Sequence, residues 1–352
     1  MLKVFTDIES VKDVWCKIKL PNLLDINFLE IYCKEHPKLT HLLIMDTNMR
    51  LYAHIFKLKF NKARGYLQNN SVVNIILSLI KFDVLYLTNS FITNIPSFIS
   101  DKSISLSVLL NSIKDNYSII VIPDFLFKQL RVEKDNYTKI EVEEEMVLDI
   151  RSEWSELTDY TSDLKTKYRN KIKRIMKETS ILEIRDLKSD DLNKYIFELK
   201  DLFCQVVEGS QFKGPEFETS SFASFVEKGF MRVEGYFLNE ELVGFSSYIE
   251  KKQIIYSYFT GFNKKINKST PIYGRILIEN IKHAINLKKD RLVLGRTANE
   301  YKSNFGASPV RSYIYLRIRN RFARILLRPI YTNLRLNRWK KRTPFKAKAL
   351  LV

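Results

Sequence analysis

Short apolar runs separated by polar turns dominate the second half of the chain. Thr270 and Pro271 form a typical helix start, with threonine as the N-cap and proline in the first helical position. The pattern predicts, in order, a polar hairpin, an apolar strand, a helix and a short strand, over residues 233–250, 253–263, 271–289 and 291–296. This order of elements places a strand end, a helix N-terminus and a loop around one cleft.

The first half has the same order of elements. Asp46, Thr47 and Asn48 form a turn cluster between two strand-like runs, which predicts a hairpin. Further along, a strand, a helix and two more strands are predicted over residues 83–88, 105–114, 117–123 and 137–150. A chain of 352 residues suits two domains of about 150–200 residues each. We therefore predict domains over residues 1–147 and 148–320, followed by a tail over 321–352.

A basic amphipathic helix is predicted near the start of the second domain, over residues 164–178. Thr161, Ser162 and Asp163 offer N-cap side chains, and Leu164, with four later apolar residues, falls on one helical face. Seven lysines and arginines cover the remaining surface. This surface either contacts a polyanion or is simply solvated.

The charge is unevenly distributed along the chain. Fifty-eight Lys and Arg oppose forty Asp and Glu, and no acidic residue follows Glu300. In the tail, basic residues alternate with apolar ones at near-helical spacing, interrupted by Pro329. Such a segment favours RNA, the phosphates of coenzyme A or an anionic membrane as its partner, and the alternative is a solvated tail.

Several classes of protein are disfavoured. The chain has no run of 18 apolar residues and no N-terminal secretory signal, and its three cysteines are scattered, so we expect a cytoplasmic protein, peripheral at the inner membrane face if the tail binds lipid. Four histidines show no metal-ligand spacing, so no metal is expected. Phosphate-loop, dinucleotide and serine-nucleophile motifs are absent.

The segment Tyr301-Lys302-Ser303-Asn304-Phe305-Gly306, following the last predicted strand, resembles a motif of the FemAB-like branch of the GNAT acyltransferases. Element order over about residues 148–320 is similar as well. The resemblance implies an α/β class with a mixed sheet and two GNAT-like domains in tandem, the N-terminal one degenerate. It also implies transfer of an acyl or aminoacyl group from acyl-CoA or aminoacyl-tRNA to an amine acceptor, in bacterial envelope biogenesis or lipid metabolism.

The resemblance also implies site residues. Lys302 would lie near the reacting carbonyl, where an ammonium stabilises a developing oxyanion. Tyr256 and Tyr258 share one face of the strand that lines the acyl channel in GNAT proteins. Glu208, just before a glycine-containing flap at Gly209, is the candidate base.

A carrier would bind at the start of the predicted helix, where backbone N–H groups favour phosphate. GNAT proteins place glycines in the preceding loop, whereas this loop has Gly261 alone. Acyl-CoA and aminoacyl-tRNA therefore both stay open as donors, and a non-catalytic module binding RNA or anionic membrane is the alternative. The predicted carrier contacts are Thr270, Tyr273, Arg275, Arg296 and Lys264.

Overall fold

The computed structural model describes residues 2–16, 22–59, 81–92, 95–132, 136–208, 217–332 and 338–347, with Leu20 and Leu336. The chain forms two compact units, and each is built from three separate stretches of the sequence. Unit 1 comprises Met1–Val142, Gln211–Ser221 and Ser312–Leu336. Unit 2 comprises Glu143–Ser210, Phe222–Arg311 and Asn337–Val352.

Unit 1 is built on a mixed sheet. Its strands run in the order β1-β2-β3-β4-β7-β15, with β5 beside β3, and every pair is antiparallel except β4 with β7. A separate parallel pair joins β6 and β8. The strands are β1 (Lys3–Phe5), β2 (Thr40–Met45), β3 (Met49–Lys59), β4 (Lys81–Tyr86), β5 (Phe98–Ser100), β6 (Ile104–Ser105), β7 (Ile119–Pro123), β8 (Leu130–Arg131) and β15 (Ser308–Ile318).

Helices cover the sheet of unit 1. The buried face of helix α3 (Leu106–Ser112) contributes Leu106 and Leu109 to a core shared with Leu85, Ile120 and Ile122 of the strands. Ser105 caps α3 by accepting a hydrogen bond from the Val108 N–H. The helices are α1 (Lys12–Trp15), α2 (Ile26–Glu35), α3 (Leu106–Ser112), α4 (Asp124–Phe127) and α12 (Arg321–Thr332).

Unit 2 repeats the same strand plan. Four antiparallel strands, β10 to β13, are followed by β14, which is parallel to β13 and antiparallel to β9. In both units the last antiparallel strand is therefore followed by a parallel neighbour after a helix-containing connection. The strands are β9 (Thr138–Asp149), β10 (Glu183–Asp186), β11 (Arg232–Leu238), β12 (Glu241–Lys251), β13 (Ile254–Phe262) and β14 (Arg291–Val293).

The core of unit 2 lies between helix α10 and the β9–β14–β13 part of the sheet. Leu277 and Ile281 of α10 pack with Leu148, Ile255 and Leu292 of those strands. The helices are α5 (Leu157–Ser162), α6 (Thr166–Glu178), α7 (Ser189–Lys194), α8 (Ile196–Val207), α9 (Ser221–Glu227), α10 (Ile272–Asn286) and α11 (Asn299–Ser303). The mixed α/β class and the presence of two units that each contain strands and helices agree with the fold predicted from the sequence.

Two helix starts differ from the sequence-based expectation. Helix α10 begins at Ile272 with Pro271 as its N-cap, so Thr270 is buried before the helix and does not cap it. Helix α6 begins after Lys165, because Thr161 and Ser162 complete the preceding helix α5 and Asp163 is its C-cap. In both cases the residue predicted as the N-cap belongs to a short preceding turn, which the spacing of apolar residues does not reveal.

The predicted tail is structured in two different ways. Helix α12 belongs to unit 1, whereas residues 338–347, which we call the C-terminal strap, pack on unit 2. In the strap, Phe345 packs against Trp154 and Tyr160, and the Arg151 guanidinium lies 4.7 Å from its ring centroid. Gly306 permits this contact, because a Cβ there would collide with the Phe345 ring.

Backbone hydrogen bonds hold the strap on both sides of Phe345. The Lys165 N–H donates to the Pro344 carbonyl over 2.8 Å, and the Lys346 N–H donates to the Asp163 carbonyl over 2.9 Å. Arg342 forms an ion pair with Glu300 of α11. The strap therefore connects helix α6 with the helix that carries Lys302.

We predict that Phe345→Ala destabilises the protein by about 2–3 kcal/mol, because it removes an aromatic ring from a packed site and leaves a gap. Chemical denaturation measures this loss. Thr343→Ala is the matched control, since Thr343 is exposed and its carbonyl, which the substitution keeps, accepts from Lys165. Equal unfolding midpoints for Phe345→Ala and the parent would show that the strap adds no stability.

Candidate active site

The parallel strands β13 and β14 separate at one end. Their pairing ends at Tyr256 opposite Val293, while β13 continues to Phe262 alongside β12. Leu294 instead bonds to β9, its N–H donating to the Met146 carbonyl over 2.8 Å. Ligand sites in mixed sheets commonly lie where neighbouring strands diverge. The candidate site is built around this divergence.

The loop after β14 has a strained backbone. Gly295, Thr297 and Ala298 have φ values of 71°, 66° and 50°. Glycine tolerates this left-handed region, but a β-branched threonine there costs free energy and persists only where surrounding contacts hold it. The Met146 N–H donates to the Gly295 carbonyl over 3.0 Å, which is one such contact.

Lys302 is the central residue of the site. It lies on α11 with only 3% of its surface exposed, and its Nζ donates to the carbonyls of Gly295 at 3.1 Å and Arg296 at 2.7 Å. Burial lowers the Lys302 pKa to about 7, although Glu145 and Glu143 act in the opposite direction. The strained loop thus holds a lysine whose charge is marginal at neutral pH.

Glu145 of strand β9 lies near Lys302 and was not predicted as a site residue from the sequence. Burial raises its pKa to about 7, opposed by the nearby charges of Arg296 and Lys302. Its Oε1 is buried without a hydrogen-bond partner in the described part of the chain. Alternation along β9 places Glu145 on the same face as Val147, which pairs with Val293. A carboxylate in line with apolar strand positions was the signal that could have revealed it.

Three more of the predicted site residues lie near Lys302 and Glu145. Burial and the charge of Glu145 both raise the Tyr256 pKa, so its phenol stays protonated at neutral pH. Tyr258 stacks on Tyr256 with ring centroids 6.0 Å apart. Arg296 has a buried Nε without a hydrogen-bond partner among the described residues. The structure therefore brings Lys302, Tyr256 and Arg296 together with Glu145, and places Tyr258 beside them.

The start of helix α10 is occupied by the chain itself. The Tyr273 N–H donates to Asn267 Oδ1 over 2.9 Å, and the Tyr273 ring stacks on Phe262 and Tyr301. Burial raises the Tyr273 pKa. An asparagine side chain thus fills a position at which a carrier phosphate would bind the helix.

The remaining predicted carrier contacts are engaged elsewhere or exposed. Arg275 forms a 2.6 Å ion pair with Glu279 and also contacts Thr179 at the end of α6. Thr270 is buried, and its N–H donates to the Ile266 carbonyl. Lys264 is exposed in the loop before α10, where its N–H donates to Gln205.

Glu208 lies at the exposed C-terminal end of α8. No contact between Glu208 and Lys302 occurs in the described part of the chain. The flap residues Gly209, Gly214 and Pro215 lie outside the described residues. Where the structure describes side chains, no group of three or more His, Cys, Asp or Glu is placed to hold a metal ion.

An aromatic row supports α11 from behind. Tyr301 lies between Tyr273 and Phe305, with ring centroids 5.5 Å from each. Lys171 of α6 lies over the Tyr301 ring at 4.4 Å, a cation–π contact. Gly274 lets Tyr301 approach α10, since a Cβ there would meet the phenol oxygen. These contacts fix the helix that presents Lys302.

Together, Glu145 and Lys302 form an acid–base pair suited to neutral pH. A carboxyl and an amine that both titrate near 7 can exchange a proton with a bound substrate at little cost. The protonated Tyr256 phenol and the Arg296 guanidinium add donors near the same point. Such a set can stabilise a negatively charged oxygen while removing a proton from a nucleophile.

Comparison with solved structures shows the fold. The chain is similar to L-PGS from Bacillus licheniformis, with a TM-score of 0.52 and 11% identity over 94% of this chain and 98% of that one. It is similar to the C-terminal domain of a putative lysylphosphatidylglycerol synthetase from Agrobacterium fabrum, with a TM-score of 0.52 and 10% identity over 91% and 94% of the two chains. FemX gives a TM-score of 0.49 and 9% identity over 93% and 99% of the two chains.

No family model matches the chain, and no curated protein matches it either. The chain nevertheless shares the fold of L-PGS and of the Agrobacterium domain, and its mixed α/β class agrees with the fold that the sequence predicted. At about 10% identity, these likenesses establish the fold alone.

We predict that the double variant Glu145→Gln, Lys302→Met is more stable than the parent, by about 1–4 kcal/mol, because it replaces a buried lysine and a partly buried glutamate with neutral side chains of similar size. The lowered Lys302 pKa costs stability as the pH falls from 10.5 through about 7. The raised Glu145 pKa costs stability as the pH rises from 4.5 through about 7. The gain should therefore be largest near pH 7.

Denaturant titrations at pH 5, 7 and 9 measure this gain. The exposed pair of Glu227 and Lys228 offers a matched control, and Glu227→Gln with Lys228→Met should leave stability almost unchanged. A double variant at the site that is less stable than the parent at all three pH values would show that the buried pair stabilises the fold.

Proposed function

We propose that the protein is an acyltransferase that moves an acyl or aminoacyl group from a carrier to an amine acceptor, with Glu145 and Lys302 at the reacting centre. The observation that carries the proposal is the buried Lys302 with the partly buried Glu145 near it, whose Oε1 has no hydrogen-bond partner among the described residues. Strongly shifted pKa values such as those of Glu145 and Lys302 mark functional sites.

The chemistry assigns each group a role. The acceptor amine attacks the carbonyl carbon of the carrier ester, forming a C–N bond, and Glu145 takes the proton that the amine loses. Lys302 and Arg296 stabilise the oxyanion of the tetrahedral intermediate. When the C–O bond to the carrier breaks, the leaving oxygen takes the proton back from Glu145, and the Tyr256 phenol supports that oxygen as a donor.

An aminoacyl-tRNA is the carrier that we favour over acyl-CoA. Asn267 already occupies the Tyr273 N–H at the start of α10, where a pyrophosphate would otherwise bind. Helix α6 presents exposed Lys167, Lys173 and Lys177 on its outer side, a surface suited to a nucleic-acid backbone. The similar Agrobacterium protein is named for a product that joins an amino acid to a lipid, which suits an envelope or lipid acceptor.

We predict that Lys302→Met lowers kcat/KM for transfer by about 100-fold or more while the protein stays folded, because it removes a charge that acts mainly in the transition state. Purified protein is incubated with radiolabelled aminoacyl-tRNAs or acyl-CoAs, and with soluble amines, phosphatidylethanolamine or phosphatidylglycerol as acceptors. Product formation is followed by thin-layer chromatography.

Lys228→Met, on the exposed surface, is the control and should keep parental activity. Labelled product with aminoacyl-tRNA but not acyl-CoA supports the proposal as stated. Product on the phosphatidylglycerol hydroxyl would keep the transferase and replace the amine acceptor. Lack of product with every donor, or full activity of Lys302→Met, would overturn the proposal and leave a binding module as the better account.

A further inference from the structure

Helix α12 of unit 1 presents an apolar face to solvent. Phe322, Ile325 and Leu326 are 82%, 64% and 76% exposed, although they are the large apolar side chains that usually form a core. Their spacing of three and four residues places them on one face of the helix. Leu327, on the other side, is 7% exposed and attaches α12 to unit 1. The helix is therefore docked by one face and uncovered on another.

Two arginines line one edge of the uncovered face. Arg321 and Arg328 lie about 100° around the helix from its centre, by the geometry of 3.6 residues per turn, and both are exposed. The sequence from Tyr301 onward contains no acidic residue that could neutralise them by local pairing. Apolar side chains bordered by arginines are the arrangement of a helix that lies in the interface of an anionic membrane.

We propose that α12 seats unit 1 on an anionic lipid surface, with Phe322, Ile325 and Leu326 inserted among the acyl chains and Arg321 and Arg328 at the phosphates. At 1.5 Å per residue, its twelve residues span about 18 Å, too short to cross a bilayer but suited to lying in its surface. Within the described ranges, no other helix has the length and hydropathy to cross one either.

A second copy of the chain fits this face less well. Two antiparallel copies related by a twofold axis would bury the apolar residues but bring the two arginine edges together. Like charges at such short range oppose association. An anionic membrane satisfies both features, because the acyl region accepts the apolar residues and the phosphates attract the arginines.

The helix is also firmly oriented on unit 1. The Asn320 side chain accepts a hydrogen bond from the Ala323 N–H at 3.0 Å, which caps the first turn. Just before it, the Arg319 N–H donates to the Ser118 carbonyl over 2.9 Å, and the Arg319 guanidinium donates to the Tyr117 carbonyl. A preformed helix loses less conformational entropy on insertion than an unstructured tail would.

Vesicle flotation of the full chain tests the proposal. The parent should bind vesicles of phosphatidylcholine with 30% phosphatidylglycerol, and Phe322→Gln with Ile325→Gln and Leu326→Gln should weaken binding at least tenfold. Arg321→Gln with Arg328→Gln should weaken binding about tenfold at low salt and less at high salt. The matched control, Phe197→Gln with Ile181→Gln, changes apolar residues that are 81% and 62% exposed in unit 2 and should bind like the parent.

Three results would overturn the proposal: a parent that ignores anionic vesicles, an apolar variant that binds as tightly as the parent, or a control variant that loses binding equally. Sedimentation gives a fourth, because a parental dimer that the apolar variant dissociates would identify this face as a contact between copies. No acyl donor is present in these assays, so their failure would leave the transferase proposal standing.

A cavity of about 750 Å³ in unit 1 carries a second, independent inference. The Arg317 guanidinium and the Tyr137 phenol interact with each other there, and Arg317 Nε and the phenol oxygen are both buried with no other hydrogen-bond partner in the described chain. Arg317 and Arg319 lie 5.7 and 4.7 Å from the ring centroids of Tyr137 and Tyr117. The opposite wall is apolar and comes from Leu106, Leu110, Ile113, Ile120 and Val132.

We infer that this cavity binds a phosphate-bearing amphiphile, its anionic head on the two arginines and its apolar part against helix α3. An arginine pair without carboxylate partners among the described residues suits a phosphate, and the apolar wall excludes a simple inorganic ion as the preferred ligand. Apart from Arg319, which also anchors the start of α12, this inference depends on different residues from the membrane-docking proposal.

Titration calorimetry with dihexanoyl phosphatidylglycerol, below its micelle concentration, tests the inference. The parent should bind it at least tenfold more tightly than glycerol phosphate, which lacks the chains, or hexanoate, which lacks the phosphate. Arg317→Gln with Arg319→Gln should lose at least tenfold in affinity, and Arg321→Gln with Arg328→Gln, outside the cavity, should not. Equal affinity for all three probes, or unchanged affinity in the cavity variant, would refute it.

Discussion

The carbonyl oxygen of Gly295 accepts two hydrogen bonds, one from the Met146 backbone of strand β9 and one from the ammonium of Lys302. The first bond continues the sheet past the end of β14, and the second holds a buried charge. Both require the left-handed backbone at residue 295, which directs the chain away from β13. The end of the β14 strand, the strained loop and helix α11 therefore meet at one carbonyl group.

Burial of polar groups separates the roles of the two units. In unit 2, burial leaves Glu145 and Lys302 near their titration midpoints, a condition that favours proton exchange. In unit 1, buried histidines form a closed network instead, with the Tyr52 hydroxyl between His41 and His54 at 2.8 and 3.2 Å. Burial lowers the pKa of both histidines, so the network stays neutral and structural.

Local pattern predicted the elements well but not their partners. The hairpin at Asp46 and the apolar strand around Tyr256 were recognisable because their spacing is local. Glu145 was not predicted because a glutamate on a strand is usually exposed. Its raised pKa and its position near Lys302, which lies 157 positions later in the sequence, become apparent only in the folded structure. The strap around Phe345 was predicted as part of a basic tail. Its packing on unit 2 could not be predicted, because the residues that it contacts come from distant parts of the sequence.

The interleaving of the units has a consequence for how the chain folds as it is made. The sheet of unit 1 receives β15 only after most of unit 2 has been synthesised, and the strap that closes unit 2 follows later still. Domains of multidomain chains usually fold one after another as they are synthesised. Neither unit of this protein can do so, because each needs a segment that is made after most of the other unit. The core of unit 1 stays incomplete until residue 336 has been synthesised, and that of unit 2 stays incomplete until Phe345 follows, so apolar surface in both units stays uncovered until late in synthesis.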